Sequence, residues 1–324
     1  MKRRIYIFIF LVLISFILLI SSTYAWFSLN SSLETTGVSI RVSAVQKLEV
    51  STDAKEWRQS ITLHDILNAD YDVPRYNQVP VKFQPVSTAG LLNDGKLDMF
   101  LGIVSSDKNK KSKSYGSLLL KAIKEVEEDG ETGKFLAFDL YFKSDAEKPL
   151  FIGRNSYVTY EEESTGIENT LRLAFIKEGT LESEDISAIQ DLKTNDTNNV
   201  KIWEPNFDSH TEYGISAAKS IYGLDIADLD GNQISYYGIK NEIINPVPIN
   251  SMDNEYFSLM ENNLYTDVSY NKKTGKNVLL FNLNRGITKV RVYAWIEGQD
   301  VDCENKAAGS SFVFNLHFTH DAQS

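Results

Sequence analysis

The chain has 324 residues, a net charge of −11 and a single cysteine, and these values exclude several classes of protein. With 24% charged and 42% hydrophobic residues, its composition is typical of a globular protein, not of a disordered or polytopic membrane protein. The 44 acidic residues outnumber 33 basic ones, which argues against nucleic acid as a partner because phosphate recognition needs clustered Lys and Arg. Cys303 has no second cysteine for an intramolecular disulfide, and four histidines leave little material for a zinc cluster.

The N-terminus has the pattern of a secretory signal peptide. A basic stretch, residues 2–4, precedes an apolar run over residues 5–20. Thr23 and Ala25 then place small side chains at the −3 and −1 positions that signal peptidase recognises. This pattern predicts a cut between Ala25 and Trp26. The alternative is an uncleaved leader, which would be the protein's only contact with a membrane. Cleavage is favoured because the apolar run is short for a bilayer span, so we expect a secreted protein that meets signal peptidase during export.

Apolar and polar residues alternate along much of the remaining chain, which predicts β-strands. Val38, Ile40 and Val42 alternate with polar residues, the period of a half-buried strand. The clearest alternation lies near the C-terminus, at residues 290–296 and 312–318. A strand is therefore expected at each end of the mature chain.

A few segments predict helices instead. Residues 118–128 have apolar residues at helical spacing, followed by an Asp-Gly pair that would end a helix. Two further short helices are expected near residues 181–192 and 252–264. These segments are short, so helix remains a minor component of the prediction.

The predicted fold class is mainly β, an antiparallel β-sandwich of jelly-roll type with a few short helices in insertions. The expected organisation is a signal peptide over 1–25, the first part of the sandwich over 26–180, and closing strands over 266–324. Between them, residues 181–265 are rich in Asp and Asn and interrupt the strand pattern. We interpret them as an insertion or small subdomain.

No set of residues predicts a catalytic centre. The chain lacks the paired histidines of a zinc protease, a Gly-x-Ser-x-Gly elbow and a glycine-rich phosphate loop. Residues 228–232 look like part of a calcium loop, but Ile226 and Tyr237 occupy positions where that loop needs ligands. The acidic run 161–163 is typical of a solvated surface. The sequence thus predicts a protein that is not an enzyme and has no catalytic, cofactor-binding or metal-binding residues, with loose calcium binding by loop carboxylates left open.

Two segments resemble a known family. Residues 22–28, Ser-Thr-Tyr-Ala-Trp-Phe-Ser, followed by a strand, resemble the export signal of the TasA/camelysin family of secreted bacterial proteins. The aromatic strand over 311–319 is similar in character to that family's closing strand. The resemblance implies a jelly-roll sandwich, a dedicated signal peptidase, and self-association into biofilm-matrix or cell-surface fibres. It also implies that the N-terminal strand of one subunit completes the sheet of the next. Here the donor would be Trp26 to Val42, with Val38, Ile40 and Val42 as its strand-forming residues. The alternative is that this strand pairs within its own subunit.

Two functions from different classes follow. The first is a non-enzymatic, extracellular structural protein, a subunit of a matrix or surface fibre. The second is an extracellular glycan-binding protein or hydrolase in which acidic loops and exposed Trp57, Trp203 or Trp295 would hold a sugar.

Overall fold

The structure is a computed structural model, and it describes residues 33–34, 38–44, 48–112, 115–160, 166–207, 209–217, 236–249, 251, 253–260, 263–265, 277–303 and 312–322. Most of these residues lie in strands or in the turns between strands. The predicted leader, the cleavage pair Ala25 and Trp26, the acidic run 161–163 and the segment 228–232 lie outside the described residues. None of the helices in the described ranges is long and apolar enough to cross a membrane.

The strands are mostly short, and they are numbered here in chain order. They are β1 (Leu33–Glu34), β2 (Val38–Ala44), β3 (Glu49–Ser51), β4 (Ser60–Thr62), β5 (Lys82–Phe83), β6 (Val86–Ser87), β7 (Leu92–Asn93), β8 (Lys96–Leu97), β9 (Met99–Ser106), β10 (Leu118–Glu125), β11 (Leu136–Ser144), β12 (Lys148–Ile152), β13 (Tyr157–Tyr160), β14 (Leu171–Leu181), β15 (Val200–Glu204), β16 (Tyr237–Ile239), β17 (Ile243–Pro248), β18 (Phe257–Leu259), β19 (Asn263–Tyr265), β20 (Val278–Leu283), β21 (Gly286–Ile296) and β22 (Phe312–Thr319). Short α-helices span Leu63–Leu67, Ile186–Gln190 and Glu212–Ala217, and 3-10 turns span Ile167–Thr170 and Thr197–Asn199.

Two large sheets form the sandwich. Sheet I has the strand order β19-β15-β14-β21-β11-β3, and sheet II has the order β20-β12-β22-β2-β4, with β13 also paired to β22. Both sheets are antiparallel except for one parallel pair in each, β15 with β19 and β2 with β22. The predicted antiparallel β-sandwich with a few short helices is confirmed.

The core lies between the inner faces of sheets I and II. Successive inward residues of β21 and β22 are buried, as the alternation of their sequences predicts. Phe318 of β22 makes edge-to-face contacts across the core with Phe142 of β11, at 5.1 Å between ring centroids, and with Phe175 of β14, at 6.0 Å. The aromatic residues of both sheets therefore pack as one continuous apolar layer.

A third layer covers the outer face of sheet I. Sheet III has the order β17-β10-β9-β6, and the two-stranded pair β16–β18 lies beside it. Apolar residues of this layer, among them Met99 and Met260, pack against Tyr293 and Trp295 on the outer face of β21. The middle strands of sheet I are therefore buried on both faces. Their charged side chains, Arg172 and Arg291 among them, lie in the interior.

Two of the predicted helices are wrong. Residues 118–125 form strand β10, which pairs residue by residue with β9, from Leu118 with Ser106 to Glu125 with Met99. The described residues of 252–264 contribute strands β18 and β19. A short apolar run does not distinguish helix from strand by its period, and pairing with a neighbouring strand decides the outcome here. The helix expected near 181–192 is present at Ile186–Gln190.

Residues 181–265 supply strands to more than one sheet. β15 pairs with β14 in sheet I, and β17 pairs with β10 in sheet III. The helix Ile186–Gln190 packs near the start of β21, where Ile189 contacts Tyr141 in a small apolar cluster. This region therefore builds much of the surface around the outer face of sheet I.

Candidate functional site

The predicted donor strand forms β2, near the middle of sheet II. Its seven residues pair in parallel with β22, from Val38 opposite Phe312 to Ala44 opposite Phe318, so that Ile40 lies opposite Phe314 and Val42 opposite Leu316. On its other side, β4 pairs with only three residues of β2, Arg41 to Ser43. Within the described part of the chain, residues 38–40 thus have β22 as their one strand partner. We call the position between β22 and β4 the β2 slot.

Strand β22 depends on β2 to cover one of its two edges. Its other edge is paired with β13 along Phe312 to Asn315 and with β12 at Phe318 and Thr319. Its core-facing side chains are all at most 1% exposed. Without a strand in the β2 slot, a long edge of β22 would present unpaired backbone groups directly beside the core.

The tryptophans of the glycan-binding alternative do not form a surface platform. Trp203 and Trp295 are both fully buried, so the expectation that they are exposed is wrong. Trp203 lies in the sandwich core and Trp295 under the third layer. Trp57 is half-buried, and the ammonium group of Lys143 lies 5.6 Å from its ring centroid. The alternation of apolar and polar residues suggested that one face of each strand is exposed. In sheet I both faces are covered, so tryptophans on either face are buried.

Two groups of charged side chains are buried on the outer face of sheet I. The first, which we call the balanced cluster, lies around the start of β21 and pairs three cations with three carboxylates. Its members are Arg75, Glu127, Asp139, Glu178, Lys289 and Arg291.

Every carboxylate oxygen of the balanced cluster has a donor. Arg291 donates to Asp139 and Glu127, at 2.9 Å in each case. Arg75 donates to the second oxygen of Asp139 at 3.1 Å and to both oxygens of Glu178. The second oxygen of Glu127 accepts from the hydroxyl of Tyr293, and Lys289 lies 2.8 Å from Glu178. Among the nitrogen donors of the cluster, Nε of Arg291 has no hydrogen-bond partner within the described residues.

The pKa values reflect this pairing. Burial acts to raise the pKa of Asp139, but Arg291 and Arg75 outweigh it and hold the pKa below its ordinary value. Burial raises the pKa of Glu178 despite the attraction of Arg75 and Lys289. Cations thus keep the most central carboxylate ionised in the interior.

The second group, which we call the acidic cluster, lies beyond the other end of β21. It contains one guanidinium, one imidazole and four carboxylates, and these come from β14, from the end of β15, from the following loop and from residues 297–302. Its members are Arg172, Glu204, His210, Glu297, Asp300 and Asp302.

Contacts within the acidic cluster converge on Arg172 and Asp302. An Nη2 atom of Arg172 lies 2.6 Å from an oxygen of Glu204 and 2.6 Å from an oxygen of Asp300. His210 Nδ1 lies 3.0 Å from Asp302, which also accepts from the backbone N–H of Thr211 at 3.0 Å. The side chains of Arg172, Glu204, His210, Asp300 and Asp302 are between 0% and 3% exposed.

Several polar atoms of the acidic cluster lack a hydrogen-bond partner among the described residues. They are both carboxylate oxygens of Glu204, Nε2 of His210 and Nε of Arg172. Although Glu204 is within ion-pair distance of Arg172, the direction of that contact is not that of a hydrogen bond. Buried polar atoms of native proteins are normally satisfied, so this concentration is unusual.

The pKa values of the acidic cluster reflect its excess of negative charge. Burial raises the pKa of Glu204 to about 7, since Arg172 offsets only part of the desolvation and Asp300 repels the carboxylate. Burial also raises the pKa of Glu297 to about 7, although Trp295 and the backbone of Gln299 donate hydrogen bonds to it. Burial acts to lower the pKa of His210, but its hydrogen bond with Asp302 and the nearby carboxylates raise it overall.

The acidic cluster was not predicted from the sequence. Its members are spread from residue 172 to residue 302, and none of them belongs to a motif of fixed spacing. The pair Asp300 and Asp302, two residues apart in a loop, was the one available signal. The tertiary structure brings His210 and Glu204 to that pair.

Comparison of the chain with protein-family models, with curated proteins and with solved structures gave no match to any of them.

Proposed function

We propose that this protein is an exported, non-enzymatic structural protein that assembles into extracellular fibres by exchange of its N-terminal strand. The proposed donor is the segment from Trp26 to Val42, released by cleavage after Ala25. In the fibre, the β2 slot of one subunit is filled by the strand of its neighbour. The resemblance of residues 22–28 to the TasA/camelysin export signal motivated this proposal.

The observation that carries the proposal is the position of β2. An N-terminal strand is inserted in parallel beside β22 in a sheet whose other pairs are antiparallel. A parallel neighbour is not tied to its partner by a tight hairpin, so the strand is free to come from elsewhere. Backbone hydrogen bonds along an added strand supply affinity in many complexes.

Exchange between copies preserves the contacts of β2. The same residues would pair with β22 and β4 whether the strand comes from the same chain or another one, which is the basis of domain swapping at low cost. Strand β2 of sheet II ends at Ala44, and β3, which pairs with β11 in sheet I, begins at Glu49. We place the hinge of the exchange between these two strands.

Cysteine crosslinking tests the exchange directly. Ser43 of β2 lies opposite Ser60 of β4 in antiparallel register. Directly opposed residues of an antiparallel pair are about 4.5–5.5 Å apart at Cα, a spacing that a disulfide can bridge. Ser43→Cys and Ser60→Cys are made as separate variants of a protein that begins at Trp26, then mixed and oxidised. We expect filaments in electron microscopy and a disulfide-linked dimer with one chain of each variant.

Two controls complete this experiment. The double variant Ser43→Cys/Ser60→Cys checks that the two positions bridge, and Ser43→Cys mixed with Ser183→Cys, an exposed position far along the chain, measures random crosslinking. Monomers that crosslink only within the double variant, with no filaments at any concentration, would contradict strand exchange.

A further inference from the structure

The acidic cluster has the composition and geometry of a cation site. A ring nitrogen of His210, a carboxylate oxygen of Glu204 and a carboxylate oxygen of Asp300 all lie within 4.8 Å of one another. Ligand atoms in a tetrahedral zinc shell are about 3.4 Å apart, so the three side chains would have to move closer together to bind one ion. We propose that Glu204, His210 and Asp300 bind one divalent transition-metal cation of the Zn²⁺ class.

The charge of the cluster supports a cation. Four carboxylates surround one guanidinium, so the cluster has a net negative charge whenever all four are ionised, even when His210 is protonated. Isolated buried charge is costly in a protein interior, and it is normally paired or bound to a metal. The balanced cluster on the same face of sheet I satisfies this rule with its own cations.

The hydrogen bonds of the imidazole give a second and independent argument. Asp302 occupies Nδ1 of His210 and is itself held by Thr211. This is the carboxylate–histidine arrangement that orients a metal ligand and fixes its tautomer. Nε2 is buried and has no hydrogen-bond partner among the described residues. It would be unsatisfied either as a donor or as an acceptor, but a metal ion would use its lone pair.

The carboxylate of Glu204 points to the same conclusion. Its side chain is 0% exposed, and neither oxygen has a hydrogen bond within the part of the chain that the structure describes. Arg172 lies next to one oxygen, which leaves the other for coordination. Mixed imidazole and carboxylate donors favour Zn²⁺ and its neighbours in the transition series over Ca²⁺, which prefers six or more oxygens.

The position of the site implies a structural role. The three ligands lie at the end of β15, in the loop before the helix Glu212–Ala217, and in the turn after β21. One ion would join three segments that are far apart in the sequence. Since the ligands are nearly inaccessible, the ion would hold these segments together and would not contact a large substrate.

Metal titration of the full mature chain tests the proposal. After treatment with EDTA and its removal, we expect the wild-type protein to bind one Zn²⁺ per chain by calorimetry, with a rise in Tm. Co²⁺ in place of Zn²⁺ should give visible d–d absorption, a readout that needs no variant. Absence of stoichiometric Zn²⁺ binding to the folded wild-type protein would overturn the proposal, and so would a rise in Tm with Ca²⁺ alone.

Variants locate the site. His210→Gln and Glu204→Gln should each lower Zn²⁺ affinity by 100-fold or more, while Asp302→Asn, which removes the orienting carboxylate, should lower it by about 10- to 100-fold. His64→Gln, at an exposed histidine, is the matched control and should leave binding unchanged. If a ligand variant fails to fold, the Co²⁺ spectrum of the wild type and of Asp302→Asn decides the matter. Unchanged Zn²⁺ affinity in folded His210→Gln would overturn the assignment.

Discussion

The balanced cluster and the acidic cluster occupy the same face of the same sheet, yet they solve the burial of charge differently. In the balanced cluster three cations face three carboxylates and each carboxylate oxygen has a donor. In the acidic cluster one guanidinium serves four carboxylates, and Glu204 lacks hydrogen bonds among the described residues. Charge is retained in this interior where neighbouring strands supply its partners. Where neighbouring strands do not supply cations, the excess negative charge must be neutralised by protons or by a bound cation.

The strongest test breaks the balanced cluster by removing its central cation. Arg291→Met should lower the free energy of unfolding by about 3–5 kcal/mol, because Asp139 and Glu127 would lose a buried partner. Urea denaturation measures the change. The matched control is Arg285→Met, since Arg285 pairs with Glu182 at the surface and should leave stability unchanged. Equal effects of the two substitutions would show that burial of the pair is unimportant.

The next largest effect of a single group is a pH dependence that arises from the acidic cluster. Glu204 and Glu297 have pKa values raised from 4.5 to about 7 in the folded protein. Between those values the folded state binds more protons than the unfolded state, so the stability of the metal-free protein should fall as the pH rises from 5 to 8. The full effect is about 3 kcal/mol for each carboxyl group. Urea denaturation at a series of pH values, with EDTA present, measures it.

Substitution of one carboxyl group should reduce that dependence. Gln resembles the protonated acid in shape, so Glu297→Gln should reduce the loss of stability between pH 5 and pH 8 by about 3 kcal/mol, the contribution of one carboxyl group. Glu131→Gln, at an exposed position, is the control and should leave the pH profile unchanged. A Glu297→Gln profile identical to that of the wild type would show that Glu297 is ionised throughout this range.

The smallest effect is expected at the edge of the balanced cluster. Lys96 lies 3.4 Å from Glu127, but its side chain is 36% exposed. Water screens this pair, so Lys96→Met should cost less than about 1 kcal/mol. Comparison with Arg291→Met shows how much more a buried cation contributes to the free energy of unfolding than a partly exposed one. A loss as large as that of Arg291→Met would mean that the cluster depends on its total charge and not on burial.

Strand patterns near the termini predicted the fold class well. The alternation at 290–296 and 312–318 appears in the structure as β21 and β22, and Val38 to Val42 as part of β2. The inward faces of β21 and β22 are regularly apolar, and such a signal is local. The helix expected at 118–128 was wrong because a short run of apolar residues takes its structure from its partner, here β9.

The third layer and the acidic cluster required the tertiary structure. Polar residues that alternate along a strand ordinarily face water, so Arg291 and Asp139 gave no sign in the sequence that they are fully buried. Glu204, His210 and Asp300 meet because β15 and β21 flank β14, and strand order does not follow from the spacing of residues. The burial of these charged side chains therefore depends on how the layers pack, which the sequence pattern of a single strand does not reveal.

Strands β2 and β22 pair with each other but are synthesised at very different times. The first of these strands leaves the ribosome long before the second, by roughly 15–50 s at ordinary rates of synthesis. Throughout that interval β2 has no β22 of its own, so any such edge it meets belongs to another copy of the chain. If strands are exchanged as proposed, the local concentration of nascent chains would govern how often β2 pairs within its own chain and how often it pairs with a neighbouring chain.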